Sequence, residues 1–314
     1  MLLSRCWFPT AFVAIALAAP ADAQSWQNVP RAPLGTFSYD QRAPLDYREE
    51  PAASADSSLR TASVSFNSPS AGRVTGLLMR PASAVNNGRT LAGIVVLHGL
   101  PGDARGALRS QGPELAKRGA VVLAIDAPWV RRNGMPDMTT RDSVEQVQLM
   151  RDLRRAVDVL IARTDVDSTR IGYVGGSYGG AMGTLFVALE PRLRAAALFV
   201  ADGGLVAHST APDGSAVGPL ASLSAREQAA WRNAMWPIEP QRFASYITRT
   251  PVLLQNGRND TMVSNEDAES LHKAITSPKA IEWYDSGHGL PRAAFNARVA
   301  WLTAQLGLRA AQNP

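Results

Sequence analysis

The stretch Gly175-Gly176-Ser177-Tyr178-Gly179-Gly180 follows the apolar run Ile171-Gly172-Tyr173-Val174 and opens the helix-compatible run Ala181-Met182-Gly183-Thr184-Leu185-Phe186. A short strand, a tight bend and a helix in that order describe a nucleophile elbow, in which a serine is held on a strained turn at the sheet edge. The bend brings strand and helix so close that the positions two residues either side of the serine must be small, and Gly175 and Gly179 stand there. G-x-S-x-G by itself arises by chance in a chain with 25 glycines. The flanking strand and helix, with a second glycine on each side, are what single out Ser177.

Outward from the elbow, short apolar runs of buried-strand type recur at 91–97, 120–125, 171–174, 195–200, 252–255 and 280–284, mostly separated by helical segments. Upstream, 61–66 and 73–79 read as an antiparallel pair around Asn67-Ser68-Pro69-Ser70-Ala71-Gly72. The clearest helix covers 142–162: Val144, Val147, Met150, Leu153, Val157 and Leu160 form one apolar stripe, and Asp142 and Glu145 suit its start. The repeated β-α order predicts an α/β fold, a mostly parallel doubly wound sheet with helices on both faces. Residues 203–250 interrupt the alternation as a short insertion after the sixth strand, loop-like over 208–219 and then helical from the capping box Ser224-Ala225-Arg226-Glu227. Its Trp231, Met235, Trp236, Phe243 and Tyr246 suit the wall of a substrate pocket, with Trp236 a candidate contact, or else the packing of the insertion on the sheet.

Arg5, the apolar run 11–19 and Ala21-Asp22-Ala23 have the order of a secretory signal. The run falls short of the about 20 residues that span a bilayer, so no stable membrane anchor is expected. Cleavage after Ala23, and a periplasmic or secreted product, are expected. The single cysteine, Cys6, leaves with the signal, and the mature chain then has no disulfide, thiol nucleophile or cysteine metal site. Residues 24–59 carry several prolines and little periodicity and read as an extended arm, with regular structure beginning after it in a domain over 60–314. With 46% hydrophobic and 19% charged residues the balance is that of a globular domain. The net charge of +5 comes from arginines scattered along the chain rather than gathered in a run, which argues against nucleic acid as a partner.

A serine hydroxyl needs a base within reach and an acid to orient that base. Only four histidines are available. His98, in His98-Gly99-Leu100-Pro101-Gly102 after a strand, suits a loop brace; His208 lies in the insertion; His272 falls in a helical stretch and is expected at the surface. His288, in the loop Ser286-Gly287-His288-Gly289 after the last strand, is the candidate base. The acid is expected between Ser177 and His288 at a strand end. Asp260, closing Gly257-Arg258-Asn259-Asp260, is favoured, and Asp202 after the sixth strand is the rival. The oxyanion needs two backbone N–H groups, for which Tyr178 and Leu100 are the candidates; Pro101 has none to give. Arg131 and Arg132, after Asp126-Ala127-Pro128-Trp129, are placed either to hold an acidic substrate group or as a solvated pair. The glycines around Ser177 do not form G-x-G-x-x-G, no G-x-x-x-x-G-K-[ST] occurs, and the histidines lack metal spacing, so neither cofactor nor metal is expected.

With elbow, acid loop, histidine loop and His-Gly loop in this order, the chain resembles the α/β-hydrolase superfamily over roughly residues 60 to 308. Phe37-Ser38-Tyr39-Asp40, Ala43-Pro44-Leu45 and the run Asp165-Val166-Asp167-Ser168-Thr169-Arg170-Ile171-Gly172 are similar to dienelactone-hydrolase-like bacterial hydrolases. The resemblance implies the α/β-hydrolase fold, hydrolysis of a small-molecule ester, and a triad of Ser177, Asp260 and His288. Dienelactone hydrolases proper use cysteine where Ser177 stands, so lactone chemistry is not implied. The elbow is also similar to that of prolyl-oligopeptidase-type serine peptidases, although the chain leaves no room for their propeller domain, and a peptidase is the alternative activity. A non-catalytic binding protein on the same fold would be marked by a lost triad member, and none is lost.

Overall fold

The computed structural model describes residues 25–83 and 90–310, and the expected signal at 1–23 lies outside them. Among the described residues one sheet of nine strands forms: β1 (Arg48–Ala52), β2 (Leu59–Asn67), β3 (Arg73–Pro81), β4 (Leu91–Leu97), β5 (Ala120–Ile125), β6 (Val166–Gly176), β7 (Leu193–Phe199), β8 (Val252–Gly257) and β9 (Lys279–Tyr284). Their spatial order is β1-β2-β3-β5-β4-β6-β7-β8-β9. The pairings from β1 to β5 are antiparallel and all those from β5 to β9 are parallel. The helices are α1 (Ala104–Lys117), α2 (Pro128–Arg131), α3 (Arg141–Ile161), α4 (Tyr178–Leu189), α5 (Leu205–His208), α6 (Ala225–Met235), α7 (Asn265–Ala274) and α8 (Arg292–Leu306).

Every residue of β4 and β5 is buried, as continuous apolar runs covered by helices on both faces require. Period-two alternation divides them between two cores. Val95, Leu97, Val121, Leu123 and Ile125 join the larger core, which α3, α4 and the insertion cover. Ala92, Ile94, Val96, Ala120, Val122 and Ala124 face α1 and α8. On α3 the buried stripe runs through Leu149, Met150, Leu153, Ala156, Val157 and Leu160, whereas Val144 is 67% exposed on the solvent side.

Regular structure starts earlier than the proline-rich arm suggests, because Arg48–Ala52 pairs with β2 as an edge strand. Its Arg-Glu-Glu-Pro sequence has no apolar alternation to betray it, and charged residues with proline are what an exposed edge carries. Residues 36–43 of the arm dock on α3, and 26–32 on the insertion. Arg151, Arg154 and Arg155 donate to the carbonyl oxygens of Thr36, Phe37 and Gln41, so an irregular backbone finds partners for its acceptors. The scattered arginines are thus partly internal clamps.

Candidate active site

Ser177 sits at φ 53°, ψ −125°, between the end of β6 and the start of α4. A non-glycine residue there is strained, by about 1–3 kcal/mol in general, and persists only where its surroundings hold it. They do: Ser177 N–H donates to Phe199 O at 2.9 Å, and Ser177 O accepts from Gly180 and Ala181 N–H at 2.8 and 2.9 Å. A Cβ on Gly175 would lie 2.1 Å from Gly179 O, and one on Gly179 would lie 2.5 Å from Leu97 O. Both flanking glycines are therefore required by backbone contact. Tyr173 OH donates to Gly179 O at 2.6 Å and ties the helix start to the strand.

The acid and histidine loops are joined by main-chain bonds. Arg258 N–H donates to Tyr284 O at 2.8 Å and Asn259 N–H to Ser286 O at 3.0 Å. This brings Asp260 to His288, whose Nδ1 lies 2.8 Å from Asp260 Oδ2. The other oxygen, Oδ1, accepts from Met262 and Val263 N–H at 2.8 and 3.1 Å, so the carboxylate cannot turn away. An ionised carboxylate only accepts, which leaves Nδ1 as the protonated nitrogen and Nε2 as the basic one. Asp260 is 1% exposed at its side chain and His288 26%. Ser177 and His288 line one cavity of about 300 Å³, together with Gly99, Pro101, Gly106, Gln111, Phe199 and Val200.

Asp202, the rival acid, is bonded elsewhere: Oδ2 meets His208 Nδ1 at 2.9 Å and Oδ1 accepts from Gly204 N–H at 3.0 Å. The bond to Asp202 raises the pKa of His208. His98 is buried, with Nδ1 2.7 Å from Gly99 O and Nε2 accepting from Ala127 N–H at 3.2 Å; burial lowers its pKa, so it is a neutral brace. His272, expected at the surface, is buried at 4% exposure instead, with Nε2 3.1 Å from the Asn256 amide. Its face of α7 turns to the sheet, and desolvation pushes its pKa down to about 4. Tyr178 occupies the first position of α4, where a helix has N–H groups without internal partners. Its ring is buried edge-on to Trp129 at 4.9 Å, so only its backbone is available to the site. In the His-Gly loop, Gly99 lies against the nucleophile, its Cβ position 3.5 Å from Ser177 Cβ. Leu100 follows it, with its side chain on the core.

The two expected substrate contacts fall elsewhere. Arg131 donates to Asp152 Oδ2 at 2.6 Å and to Arg73 O at 3.2 Å, and it borders a separate groove of about 570 Å³ over β1 to β3. Arg132 forms a two-pronged bond with Glu145 at 2.7 and 3.2 Å. Trp236 stacks edge-on against Trp26 at 5.0 Å and donates to Gln27 O, so it pins the arm rather than walling the site. Trp231 is fully buried with its N–H on Asp142 at 2.9 Å. Sequence reasoning passed over Gln111 and Phe199 as cavity walls. It also passed over Val200, a β-branched residue at φ 44° after β7. Nothing short of the fold brings these three together, since they come from α1 and the end of β7. Among the described residues no cluster of three or more His, Cys, Asp or Glu is placed to hold a metal, and no helix is long and apolar enough to cross a membrane.

A strained serine, a carboxylate-held imidazole and a glycine-rich loop share this site, and the model of the Prolyl oligopeptidase family matches residues 114–307, which carry the serine, the acid and the histidine. The chain belongs to the prolyl oligopeptidase family. Its fold is that of the α/β-hydrolase superfamily. The chain is similar to the uncharacterized peptidase YuxL of Bacillus subtilis (strain 168), with 26% identity over 227 residues, 70% of this chain. The chain spans about a third of that relative's length, 34%. Among solved structures it is similar to the acetyl xylan esterase from Paenibacillus sp. R4, at TM-score 0.69 and 20% identity over 92% of this chain and 96% of that one. Acetyl xylan esterase 1 from Thermoanaerobacterium sp. JW/SL YS485 gives 0.68 and 16% over 91% and 94%. A puromycin-hydrolyzing peptidase of Mycobacterium tuberculosis gives 0.60 and 20% over 82% and 41%. At these identities the likeness is one of fold.

Proposed function

We propose that this prolyl oligopeptidase family member hydrolyses small or medium carboxylic esters through an acyl-enzyme on Ser177. The observation that carries the reading is the Asp260–His288 pair at 2.8 Å, opening on the same cavity as a serine at positive φ. Ser177 Oγ attacks the ester carbonyl while His288 Nε2 takes its proton, and Asp260 holds the tautomer and stabilises the imidazolium. The oxyanion is met by Tyr178 N–H at the head of α4 and by Leu100 N–H from the His-Gly loop. Collapse expels the alcohol with the proton from His288; water then repeats the sequence on the acyl-enzyme. A cavity of about 300 Å³, at the small end for ligand sites, favours short groups, as do esterases among the structures of similar fold.

Peptide-bond cleavage is the second reading, favoured by the family match and by peptidases among the similar proteins. Labelling with a fluorophosphonate, followed by kcat/KM on p-nitrophenyl esters of increasing chain length and on aminoacyl anilides, tests both. Label on Ser177 with short esters preferred is expected; preference for anilides replaces the ester reading with the peptidase one. We also propose export with cleavage after Ala23, for which the charged start, the apolar run and Ala-x-Ala are the support. The amino-terminal residue of the exported protein, expected to be Gln24, tests it.

A further inference from the structure

Part of the wall of the catalytic cavity is formed by α1, through Gly106, Ala107, Ser110 and Gln111. Behind it lies Arg298 of α8, only 3% exposed. Its guanidinium stands 3.5 Å from the centre of the Phe199 ring, which also lines the cavity. Its hydrogen bonds go to amides rather than carboxylates: Nε donates to Gln255 Oε1 and Nη1 to Gln111 Oε1, each at 2.9 Å. Burial brings its pKa down to about 10, so it remains charged at neutral pH.

An arginine only donates, and this fixes the orientation of both amides, with oxygen toward Arg298 and nitrogen away from it. Each glutamine then carries the positive field one amide further, and a polarised N–H is a stronger donor. On one side the relay ends on protein, because Gln255 Nε2 donates to Glu282 Oε2 at 2.7 Å and to Ala294 O at 2.9 Å. On the other side it ends at the cavity. Gln111 Nε2 reaches Ser110 Oγ at 3.3 Å with one hydrogen, and Ser110 Oγ itself donates to Ala107 O. Among the described residues the second hydrogen of Gln111 Nε2 meets no acceptor, and Gln111 lines the same cavity as Ser177. Of the cap and α1 residues that line the cavity only Asp103 is charged, eight residues from Gln111 and thus about 12 Å along the helix.

We propose that Gln111 is a specificity-determining residue: oriented by Arg298, its amide N–H selects substrates whose group in the cavity carries an oxygen acceptor over apolar groups of the same size. The inference rests on the serine-hydrolase reading of Ser177 and deepens it by naming a substrate class. An apolar isostere leaves the buried donor unpaired, whereas an ether, hydroxyl or carboxylate oxygen satisfies it.

The test compares isosteric pairs, p-nitrophenyl methoxyacetate against butyrate for the acyl side and 2-methoxyethyl acetate against butyl acetate for the alcohol side. Each ratio of kcat/KM is taken for the wild type and for Gln111→Met, so intrinsic reactivities cancel. The wild type is expected to favour the oxygen-bearing member of one pair by about five- to tenfold more than the variant does. Gln111→Glu guards against misfolding, because a carboxylate keeps the bond to Arg298 but has no proton to donate; it is expected to fold and to lose the preference. Unchanged ratios in both pairs for either folded variant overturn the proposal. Inactivation by methoxymethyl and propyl fluorophosphonates, which needs only a reactive serine, repeats the comparison without ester turnover. The same preference there sustains the proposal even where the ester reading fails, and no inactivation of Ser177 overturns both.

Discussion

Asp260→Asn is the substitution whose outcome the geometry defines most closely. Two backbone N–H groups, from Met262 and Val263, point at Oδ1 at 2.8 and 3.1 Å, so the amide oxygen of an asparagine must take that place. Its NH2 then stands where Oδ2 stood, 2.8 Å from His288 Nδ1. Two donors cannot face each other, so Nδ1 becomes the acceptor and the ring proton moves to Nε2, the nitrogen that should accept from Ser177. In serine hydrolases of this arrangement such a change costs about ten-thousand-fold in kcat, which is about 5.5 kcal/mol of transition-state stabilisation. The variant remains folded, since side chain and volume are conserved and both main-chain bonds to Oδ1 are kept. The assay is kcat on p-nitrophenyl acetate, with Asp202→Asn measured alongside. Asp202 bonds His208 and Gly204 N–H, so its variant is expected to stay within a few-fold of the wild type. An Asp260→Asn enzyme within tenfold of the wild type, or one more active than Asp202→Asn, refutes the reasoning.

Ser177→Ala is expected to abolish both ester turnover and fluorophosphonate labelling with the melting curve unchanged or raised; label on another serine would contradict the assignment. Removing Arg131 as Arg131→Ala leaves Asp152 buried without its cation, and such a loss costs about 3–5 kcal/mol of stability. KM for short esters should hold constant in that variant, and a raised KM would return Arg131 to the substrate. Glu239 is fully buried and its pKa is raised by desolvation from 4.5 to about 8. The unfolded carboxyl ionises near 4.5 while the folded one keeps its proton to about 8, so this group's contribution to stability is lost as pH rises through that window. Glu239→Gln, which does not titrate, should match the wild type in Tm near pH 4 and exceed it by several degrees at pH 8; a gap that does not widen with pH would show that the carboxyl is ionised in the fold.

Alternation of short apolar runs with amphipathic ones was enough to place eight of the strands and the parallel winding, because a strand buried on both faces has to be apolar throughout. Ser177, Asp260 and His288 were legible for a related reason: each stands in a short glycine-bearing loop directly after a strand, and parallel strands deliver those loops to one edge. The strand Arg48–Ala52 left no such trace, since an edge exposed to solvent is free of apolar demand. The chain favoured Asp260 as the acid that meets His288 but left Asp202 open, since both follow strands. Two hydrogen bonds between the loops at 258–259 and 284–286 decide it, and they form only when β8 and β9 lie side by side. The aromatics of the insertion read equally well as pocket wall or packing, and the Arg131–Arg132 pair as a solvated pair or a substrate contact, until their partners were in view. Asp152 and Glu145 of α3 and Trp26 of the arm claim those side chains. Local backbone geometry and hydrophobic period are properties of neighbouring residues, so the sequence by itself determined the elbow and eight of the nine strands among the described residues. Which charges are paired, which histidine is buried and which residues enclose the cavity depend on contacts across 13 to 187 positions, and only the tertiary structure decided them.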